Sequence, residues 1–416
     1  MGMPKRHEVL IIGAGLAGLR AAERLHSSGF QVLLLEAEGR VGGRVATDHV
    51  DGFLLDHGFQ LYNPAYPAGQ ATFDQEALEL GQFDRGVTVA SAENEITVEL
   101  SPAGLAKSVV GIAGGQLGGP IGLAALLRYL TLCGATSMAQ LSRRPDVTIA
   151  EAFRQAGLDP KSVRELLAPF LSGVFADLHL DTSRRYADLI LRSFVRGVPG
   201  VPAAGMAALP EQIVSQLPAD CVRTGTPVRN VLPGKVETDH ETLHATAVVV
   251  ATAAPVAQQL LPGLETAAMR SLTTWYFSAP QVLSDRGVLT VGTGLQGLAN
   301  IAVMNAAASS YAPAGTSLVA ATAVGDFPDY QSAKQARRAT AAGLQLARNE
   351  LDLIACYPIK HALPAATVPF SIRKPIDLGD GLFVVGDHRD TPSIQGALVS
   401  GRRGADSVAH WLHTRS

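Results

Sequence analysis

The chain has 416 residues, 47% of them hydrophobic, and a formal net charge of −3. This length is two to three times that of a typical domain, so we expect at least two domains around a large core. The charge balance provides no basic surface for nucleic acid, and we expect no nucleic-acid partner. Three widely spaced cysteines have no metal-binding spacing, which predicts a reducing compartment and no metal.

The N-terminal segment predicts a strand, a helix and a second strand in that order. Residues 9–12 form a short apolar run and lead directly into Gly13-Ala14-Gly15-Leu16-Ala17-Gly18. Apolar residues at helical spacing follow over 16–26, and residues 31–35 are a second apolar run. The apolar run before Gly13 is too short for a signal peptide, so we expect a cytoplasmic protein.

The glycines and the acid that follows them have the spacing of a dinucleotide-binding unit. Gly13 permits a tight turn, Gly15 lets the backbone approach a pyrophosphate, and Gly18 lets helix and strand pack closely. Amides at the helix start then face the anion. Glu36 ends the second strand, where a carboxylate can accept hydrogen bonds from ribose hydroxyls and would repel a 2′-phosphate.

Arg40-Val41-Gly42-Gly43-Arg44 follows Glu36 closely. Together with the glycine motif it resembles the signature of the superfamily of flavin-containing amine oxidases, protoporphyrinogen oxidases and phytoene desaturases. Arginine gives forked, charge-assisted bonds to phosphate, and glycine permits close backbone approach. The resemblance implies non-covalently bound FAD and hydride transfer to flavin N5.

The C-terminal part of the chain carries a second motif that resembles the same superfamily. A buried strand is predicted at 382–385 and is followed by Gly386-Asp387, after which Ser393-Ile394-Gln395 opens a helix to about residue 410. The resemblance implies that the acid lies near ribityl and phosphate oxygens. It also implies that the helix amides receive the pyrimidine edge of the flavin. Val228 matches a strand that contacts adenine in relatives, and Ala251 ends another buried strand.

These motifs predict one set of cofactor-binding residues. They are Gly13, Gly15, Leu16, Ala17, Gly18, Glu36, Ala37, Arg40, Gly42, Gly43, Arg44, Val228, Ala251, Gly386, Asp387, Ser393, Ile394 and Gln395.

The predicted fold class is α/β, with a Rossmann-like FAD-binding domain of the GxGxxG type and a discontinuous α+β substrate domain that contains an antiparallel sheet. The FAD-binding domain is expected at 1–75, 205–262 and 365–416, and the substrate domain at 76–204 and 263–364. Within the latter, helices are expected at 121–132, 148–156, 162–171, 182–195 and 331–351, and strands at 271–278 and 317–322. Residues 357–364 resemble the connection by which relatives re-enter the FAD domain.

Residues 108–127 carry no charge, but glycines and Pro120 oppose a membrane-spanning helix there. Contact with a membrane surface stays open.

No residue of the sequence is identified as catalytic, and His57, Tyr357 and Lys360 are only candidates. His57 is more simply explained as a turn residue and Lys360 as a solvated one. Amine oxidases of the superfamily hold the amine between two aromatic rings, and Ser393 stands at one of those positions. No match to their flavin-proximal lysine stands in 271–288.

The expected partner is a small-molecule substrate that is apolar and larger than the simple amines, and the expected function is a desaturase-like or protoporphyrinogen-oxidase-like dehydrogenation. The Ser-Gly-Val run at 172–174 and the Ala-Leu-Pro run at 362–364 favour this reading. Alternatives are an amine oxidase, a carotenoid-isomerase-like enzyme that uses reduced FAD, and a non-catalytic FAD-binding protein. The electron acceptor, with oxygen and quinones both open, and the oligomeric state are not decided by the sequence.

Overall fold

The structure is a computed structural model that describes residues 6–91, 95–99 and 119–415. Its strands are β1 Arg6–Ile12, β2 Val32–Leu35, β3 Thr47–Val50, β4 Phe53–Asp56, β5 Gly81–Gln82, β6 Gly86–Ala90, β7 Glu95–Glu99, β8 Gly200–Val201, β9 Val222–Arg223, β10 Val228–Leu232, β11 Lys235–Thr238, β12 Thr242–Val250, β13 Met269–Ala279, β14 Leu289–Val291, β15 Asn300–Val303, β16 Ser317–Val324, β17 Asp352–Pro364 and β18 Leu382–Val384. Its helices are α1 Leu16–Ser27, α2 Pro67–Gln70, α3 Gly119–Ala135, α4 Met138–Leu141, α5 Ile149–Gln155, α6 Pro160–Ser162, α7 Ala168–Phe175, α8 Arg184–Arg196, α9 Ala208–Val214, α10 Ala254–Leu260, α11 Met304–Ala307, α12 Tyr330–Gly343 and α13 Ile394–His413, with a π-helical turn at Val163–Leu167 before α7.

The first sheet is built around β1, which pairs in parallel with β2 on one side and β12 on the other. Beyond them, β9 and β18 extend the parallel set, while β10 and β11 form an antiparallel edge on β12. The β1 residues are buried on both faces because helices cover one side and the β10–β12 edge with α10 covers the other. This two-sided burial explains the uninterrupted apolar run of the sequence. All strands of this sheet lie in the three segments assigned to the cofactor domain, whose boundaries stay a prediction.

The helical face of the first sheet is formed by α1 and α13, which pack against each other and against β1. Their contact depends on glycine. A Cβ at Gly401 would lie 2.3 Å from the carbonyl oxygen of Ala17, so the two backbones meet directly. Both helices begin at the edge of the sheet where the parallel strands end.

The second sheet has the strand order β17-β13-β16-β15-β14-β6-β7. Its strands pair antiparallel, as expected for this part of the chain, except for β14 and β6, which pair in parallel. The pairing is between distant segments and leaves no local signal. On β13, Trp275 and Phe277 face the core beneath α12, whereas Tyr276 faces the first sheet. All three are core residues.

A layer of helices beside the second sheet is formed by α3, α5, α7 and α8 around one apolar core, which also includes Val87 and Val98 of β6 and β7. The predicted helices of the substrate domain are present, but two of them differ in detail from the prediction. The segment predicted as a helix over 162–171 begins with the π-helical turn, and the helix predicted to reach residue 351 ends at Gly343. The segment 357–364, expected as a connection, belongs to the edge strand β17 because it pairs with β13.

In the described part of the chain, no helix is long and apolar enough to cross a membrane. Residues 108–118 of the uncharged segment lie outside the described residues.

Buried Asp56 joins parts of the chain that are far apart in sequence. Its Oδ1 accepts hydrogen bonds from Thr47 Oγ1 at 2.6 Å and from the Met206 amide at 3.0 Å. Its Oδ2 accepts one from the Tyr311 hydroxyl at 2.8 Å. Burial raises the pKa of Asp56 to about 6, although these hydrogen bonds act in the opposite direction.

We expect Asp56→Asn to change how stability depends on pH. The asparagine oxygen can accept from Thr47 and Met206, and its amide can donate to Tyr311. In the wild type, the folded protein keeps a proton on Asp56 up to about pH 6, whereas the ordinary pKa is 3.8. Between pH 3.8 and about pH 6 the unfolded chain binds fewer protons at this residue than the folded protein does. The contribution of Asp56 to stability therefore falls as the pH rises through this range and is constant above about pH 6.

The measurement is urea denaturation of both proteins from about pH 4 to 7. The difference between the free energies of unfolding, variant minus wild type, should increase by about 1–3 kcal/mol between about pH 4 and pH 6. Above about pH 6 this difference should stay constant. Asp51→Asn, at an exposed turn residue, is the control and should run parallel throughout. Parallel curves for Asp56→Asn would contradict the assignment.

Candidate functional site

One cavity of about 1020 Å³ reaches from the first sheet into the helical layer. At one end it is lined by the residues that follow β1, β2, β12 and β18, all at the carboxyl edge of the parallel strands. Open parallel sheets bind ligands at this edge. We call this end the groove, and the other end, between α7, α8 and the second sheet, the chamber.

The groove is built by two loops that bind each other. The Gly42 amide donates to the Ala14 carbonyl at 2.8 Å, and Gly15 and Gly42 form an isolated parallel bridge. Glu36 supports the same loop, since its Oε2 accepts from the Ala14 amide at 2.7 Å. Its other oxygen accepts from the Glu38 amide at 2.9 Å. Gly42 has φ +102°, a backbone conformation that favours glycine.

The N-terminus of α1 opens into the groove. No side chain caps this helix, so its first amides are available to a ligand. Gly15 lines the groove, and a Cβ built there would meet nothing within 4 Å. Gly18 does not line the cavity, and a Cβ there would lie 2.0 Å from the Gly13 carbonyl oxygen. Gly18 therefore serves the packing of α1 against the loop.

The structure brings sixteen of the predicted cofactor-binding residues to the cavity wall. These are Gly13, Gly15, Leu16, Ala17, Glu36, Ala37, Arg40, Gly42, Gly43, Arg44, Val228, Ala251, Gly386, Asp387, Ser393 and Ile394. The exceptions are Gly18 and Gln395. The Gln395 side chain points to α2 instead, where its Oε1 accepts from the Ala68 amide at 2.9 Å.

The two arginines of the second motif are engaged by the protein itself. Arg44 pairs with Asp387 at 2.8 Å through one terminal nitrogen and donates to the Ala362 carbonyl at 2.7 Å through the other. Arg40 donates to the Gly43 carbonyl at 2.9 Å and pairs with Glu38 at 3.0 Å. Arg44 thus links Ala362 of β17 in the second sheet to Asp387 in the segment that follows β18. The sequence did not suggest this role.

The wall at the start of α13 is held by the Ser393 side chain. Its Oγ accepts from the Gly396 amide at 3.0 Å and caps the helix. A second polar atom of the cavity wall is Thr252 Oγ1, which is buried and has no hydrogen-bond partner among the described residues.

Two of the three candidate catalytic residues, His57 and Tyr357, contact the same carboxylate, that of Asp48. His57 lines the cavity, and its Nε2 lies 3.0 Å from Asp48. The Tyr357 hydroxyl donates to the other Asp48 oxygen at 2.7 Å, and its ring lies 5.1 Å from that of His57. Burial raises and the neighbouring His57 and Tyr357 lower the pKa of Asp48, with a net decrease. Burial and the Asp48 carboxylate raise the pKa of Tyr357, so its hydroxyl stays protonated.

Lys360, which the sequence offered only as a candidate beside the simpler explanation of a solvated residue, stands away from the cavity. The side chain is 75% exposed, pairs with Asp326 at 3.8 Å and does not line the cavity. It stands on the edge strand β17 and points to solvent. Tyr357 is also absent from the cavity wall and reaches it only through Asp48 and His57.

The chamber is apolar. Its walls include Phe83, Val87, Leu130, Leu166, Leu167, Phe170, Val174, Ile190, Leu191, Phe194, Val195 and Leu289. In the part of the chain that the structure describes, charged side chains line it only at exposed positions, where Asp84 pairs with Arg286 at 3.0 Å and Arg85 stands beside it. One sequence feature marked this surface, the Ser-Gly-Val run at 172–174, which lies in α7. The other chamber residues could not be told from core residues.

The chain was compared with known proteins. The family model for flavin-containing amine oxidoreductases matches residues 16–409. Among curated proteins, putrescine oxidase of Kocuria rosea is 38% identical over 102 residues, which are 23% of this chain and 21% of that protein. Polyamine oxidase 2 of Arabidopsis thaliana is 43% identical over 65 residues, 14% of this chain and 13% of that protein. The matched segments thus span about a fifth or less of these relatives.

Solved structures match over nearly the whole chain. Cyclohexylamine oxidase from Brevibacterium oxydans IH-35A has a TM-score of 0.71 at 15% identity and covers 98% of this chain and 100% of its own. A candidate protoporphyrinogen oxidase from Exiguobacterium sp. 255-15 has a TM-score of 0.71 at 19% identity, with 99% and 100% covered. At such identities the likeness shows the mixed α/β fold. The family model covers most of the chain, which therefore belongs to the flavin-containing amine oxidoreductase family.

Proposed function

We propose that this flavin-dependent oxidoreductase holds FAD along the groove and oxidises an apolar organic substrate in the chamber. The observation that carries the proposal is the continuity of the two, since one cavity joins a dinucleotide-type groove to an apolar space. When bound, FAD supplies the electron sink that accepts a hydride from a substrate carbon. The chain supplies binding, orientation and exclusion of water.

The groove fits FAD at both of its ends. The uncapped start of α1 and the open space at Gly15 suit a pyrophosphate. Glu36 has lone pairs left for ribose hydroxyls after its two amide contacts. Thr252 Oγ1, which is buried and has no partner in the described part of the chain, is a further hydrogen-bonding atom that a ligand in the groove could satisfy. We propose that the sixteen predicted residues on the cavity wall are the cofactor contacts, in a Rossmann-like unit.

Arg44 has a different role in this proposal from the one that its motif implied. Both ends of its guanidinium are bonded to protein groups, at Asp387 and Ala362. It therefore positions Asp387 at the groove and contributes positive charge from a distance. Direct phosphate contacts fall to the backbone amides of the glycine loop and of α1.

The chamber supports an apolar substrate. Burial of apolar surface contributes about 25 cal/mol per Å², so a bulky hydrocarbon or ring system is held by its own area. A polyamine would place several ammonium groups against these walls, and unpaired buried charge is costly. Residue 393 is a serine whose side chain caps α13. It therefore provides no aromatic ring against which a small amine could be held.

A second candidate function is oxidation of an apolar amine. The favouring observation is the family itself, together with the likeness to cyclohexylamine oxidase. A neutral cycloalkyl amine would suit the chamber walls better than a polyamine. Isomerase-like and non-catalytic alternatives stay predictions, because no feature of the described residues separates them from a dehydrogenase.

The groove assignment predicts opposite outcomes for two neighbouring glycines. Gly15→Val should leave the fold intact, because Gly15 has an extended backbone and open space around it, and should weaken FAD binding by about 1–3 kcal/mol or more through overpacking. Gly18→Ala should destabilise the protein itself, since its Cβ would meet the Gly13 carbonyl oxygen.

Flavin absorbance of the purified proteins and their thermal midpoints with and without added FAD distinguish the two outcomes. Gly39→Val is the matched control, because Gly39 is exposed, has open space around it and lies outside the cavity wall. Full flavin occupancy in Gly15→Val would contradict the assignment of the pyrophosphate site.

The chamber predicts the order of substrates. With the FAD-loaded protein under anaerobic conditions, bleaching of flavin absorbance should be faster with a porphyrinogen or a carotenoid precursor than with benzylamine, tyramine or putrescine. Putrescine should be the poorest, with an apparent rate at least about tenfold lower, because about 1.4 kcal/mol of lost binding gives that factor. Rapid bleaching by a small amine and none by the large substrates would establish the amine oxidase alternative.

A further inference from the structure

Asn300 places a polar group in the wall of the apolar chamber. It is the first residue of β15, an interior strand of the second sheet, and its backbone pairs with Thr322 of β16. Its side chain shares a face with Ala302, since alternate residues of a strand point the same way. That face looks towards the first sheet, whereas Ile301 faces the core under α12. The strand therefore presents the Asn300 amide to the cavity.

The amide is buried and incompletely bonded. Asn300 is 5% exposed, and its Oδ1 has no hydrogen-bond partner among the described residues. A buried carbonyl oxygen without a partner destabilises the folded protein. Nothing in the fold requires an amide here, because the neighbouring strand residues Ile301, Ala302 and Val303 are apolar and buried.

Helix α7 leaves space for this amide. A Cβ built at Gly173 would lie 2.5 Å from Asn300 Nδ2, so the glycine of the Ser-Gly-Val run admits the amide at this point. The adjacent cavity wall is formed by Phe170, Val174 and Leu289. The Asn300 oxygen is thus a hydrogen-bond acceptor with apolar surroundings and a fixed support.

We propose that Asn300 determines substrate specificity by accepting a hydrogen bond from a neutral donor, a hydroxyl or an N–H group, on an otherwise apolar substrate. The proposal rests on the function proposed above and narrows its substrate class. An apolar molecule without a donor would displace water from the chamber and leave the oxygen unpaired. A site that hydrogen-bonds one group discriminates strongly against analogues that lack it.

The donor that this site selects is uncharged. An ammonium group beside Asn300 would need a carboxylate to compensate its burial. Among the described residues, Asp84 is the acid that lines the chamber, and it is exposed and paired with Arg286. The other acids on the cavity wall, Glu36, Glu38 and Asp387, line the groove. An amide oxygen alone can satisfy a neutral donor.

The test uses two isomeric probes, 1-octanol and 1-methoxyheptane, which have the same atoms but differ in the hydroxyl donor. Their affinities for the FAD-loaded wild type are measured by calorimetry, after flavin content has been verified by absorbance. The alcohol should bind at least about fivefold more tightly, the equivalent of one neutral hydrogen bond. In Asn300→Leu the preference should disappear while the affinity for the ether is kept or increased.

Asn230→Leu makes the same substitution at an exposed site of β10 and should keep the preference for the alcohol. If Asn300→Leu fails to load FAD, Asn300→Ala provides the same comparison with less volume in the chamber. Equal affinities in the wild type, including no measurable binding of either probe, or a preference retained in the Asn300 variants, would overturn the proposal. Because no turnover is measured, such a result with FAD-loaded protein leaves the proposed function intact, whereas protein that binds no FAD would refute that function instead.

Discussion

The structure depends on contacts between backbones that leave no room for a side chain. A Cβ at Gly18 would lie 2.0 Å from the Gly13 carbonyl oxygen, and one at Gly401 would lie 2.3 Å from that of Ala17. The first contact sets α1 against the end of β1, and the second sets α13 against α1. Both helices then begin at the groove, and their N-terminal amides and dipoles favour negative charge on a ligand there. Segments nearly 400 residues apart in the chain build one site for this reason.

Much of the first sheet could be predicted from the sequence because its signals are local. Apolar runs, glycines at fixed offsets and the periodicity of α1 all lie within 9–35, where each local preference agrees with the fold. The second sheet was harder. The parallel pairing of β14 with β6 joins residues about 200 positions apart, and β17 alternates little in burial because it is an edge strand. Such features are decided by tertiary pairing and leave little trace in composition.

The groove and the chamber also differed in how far their residues could be predicted from the sequence. Groove residues were predictable because phosphate and ribose require particular chemistry, which glycine, acidic and arginine residues carry in a recognisable order. The motif nevertheless did not reveal that Arg44 binds Asp387 and Ala362. Chamber residues were not predictable, because a leucine that faces a cavity has the same sequence signature as one that faces another leucine. Asn300 escaped notice for a related reason, since one polar residue at the start of a short strand is ordinary in sequence.

Two polar contacts fix the chamber relative to the groove. Arg44 connects β17 of the second sheet to Asp387 after β18, and Asp56 connects Thr47 and Met206 to Tyr311. Both are buried wholly or in part, where polar contacts are costly to leave unmade. A substrate seated against the second sheet is therefore positioned relative to the groove through the protein frame. Reaction of a substrate carbon requires placement to within a fraction of an ångström, which a rigid frame supplies and a flexible linker between two halves would not. In the proposed function, the walls of the chamber then decide which molecule is oxidised, while the groove holds the same cofactor for any of them.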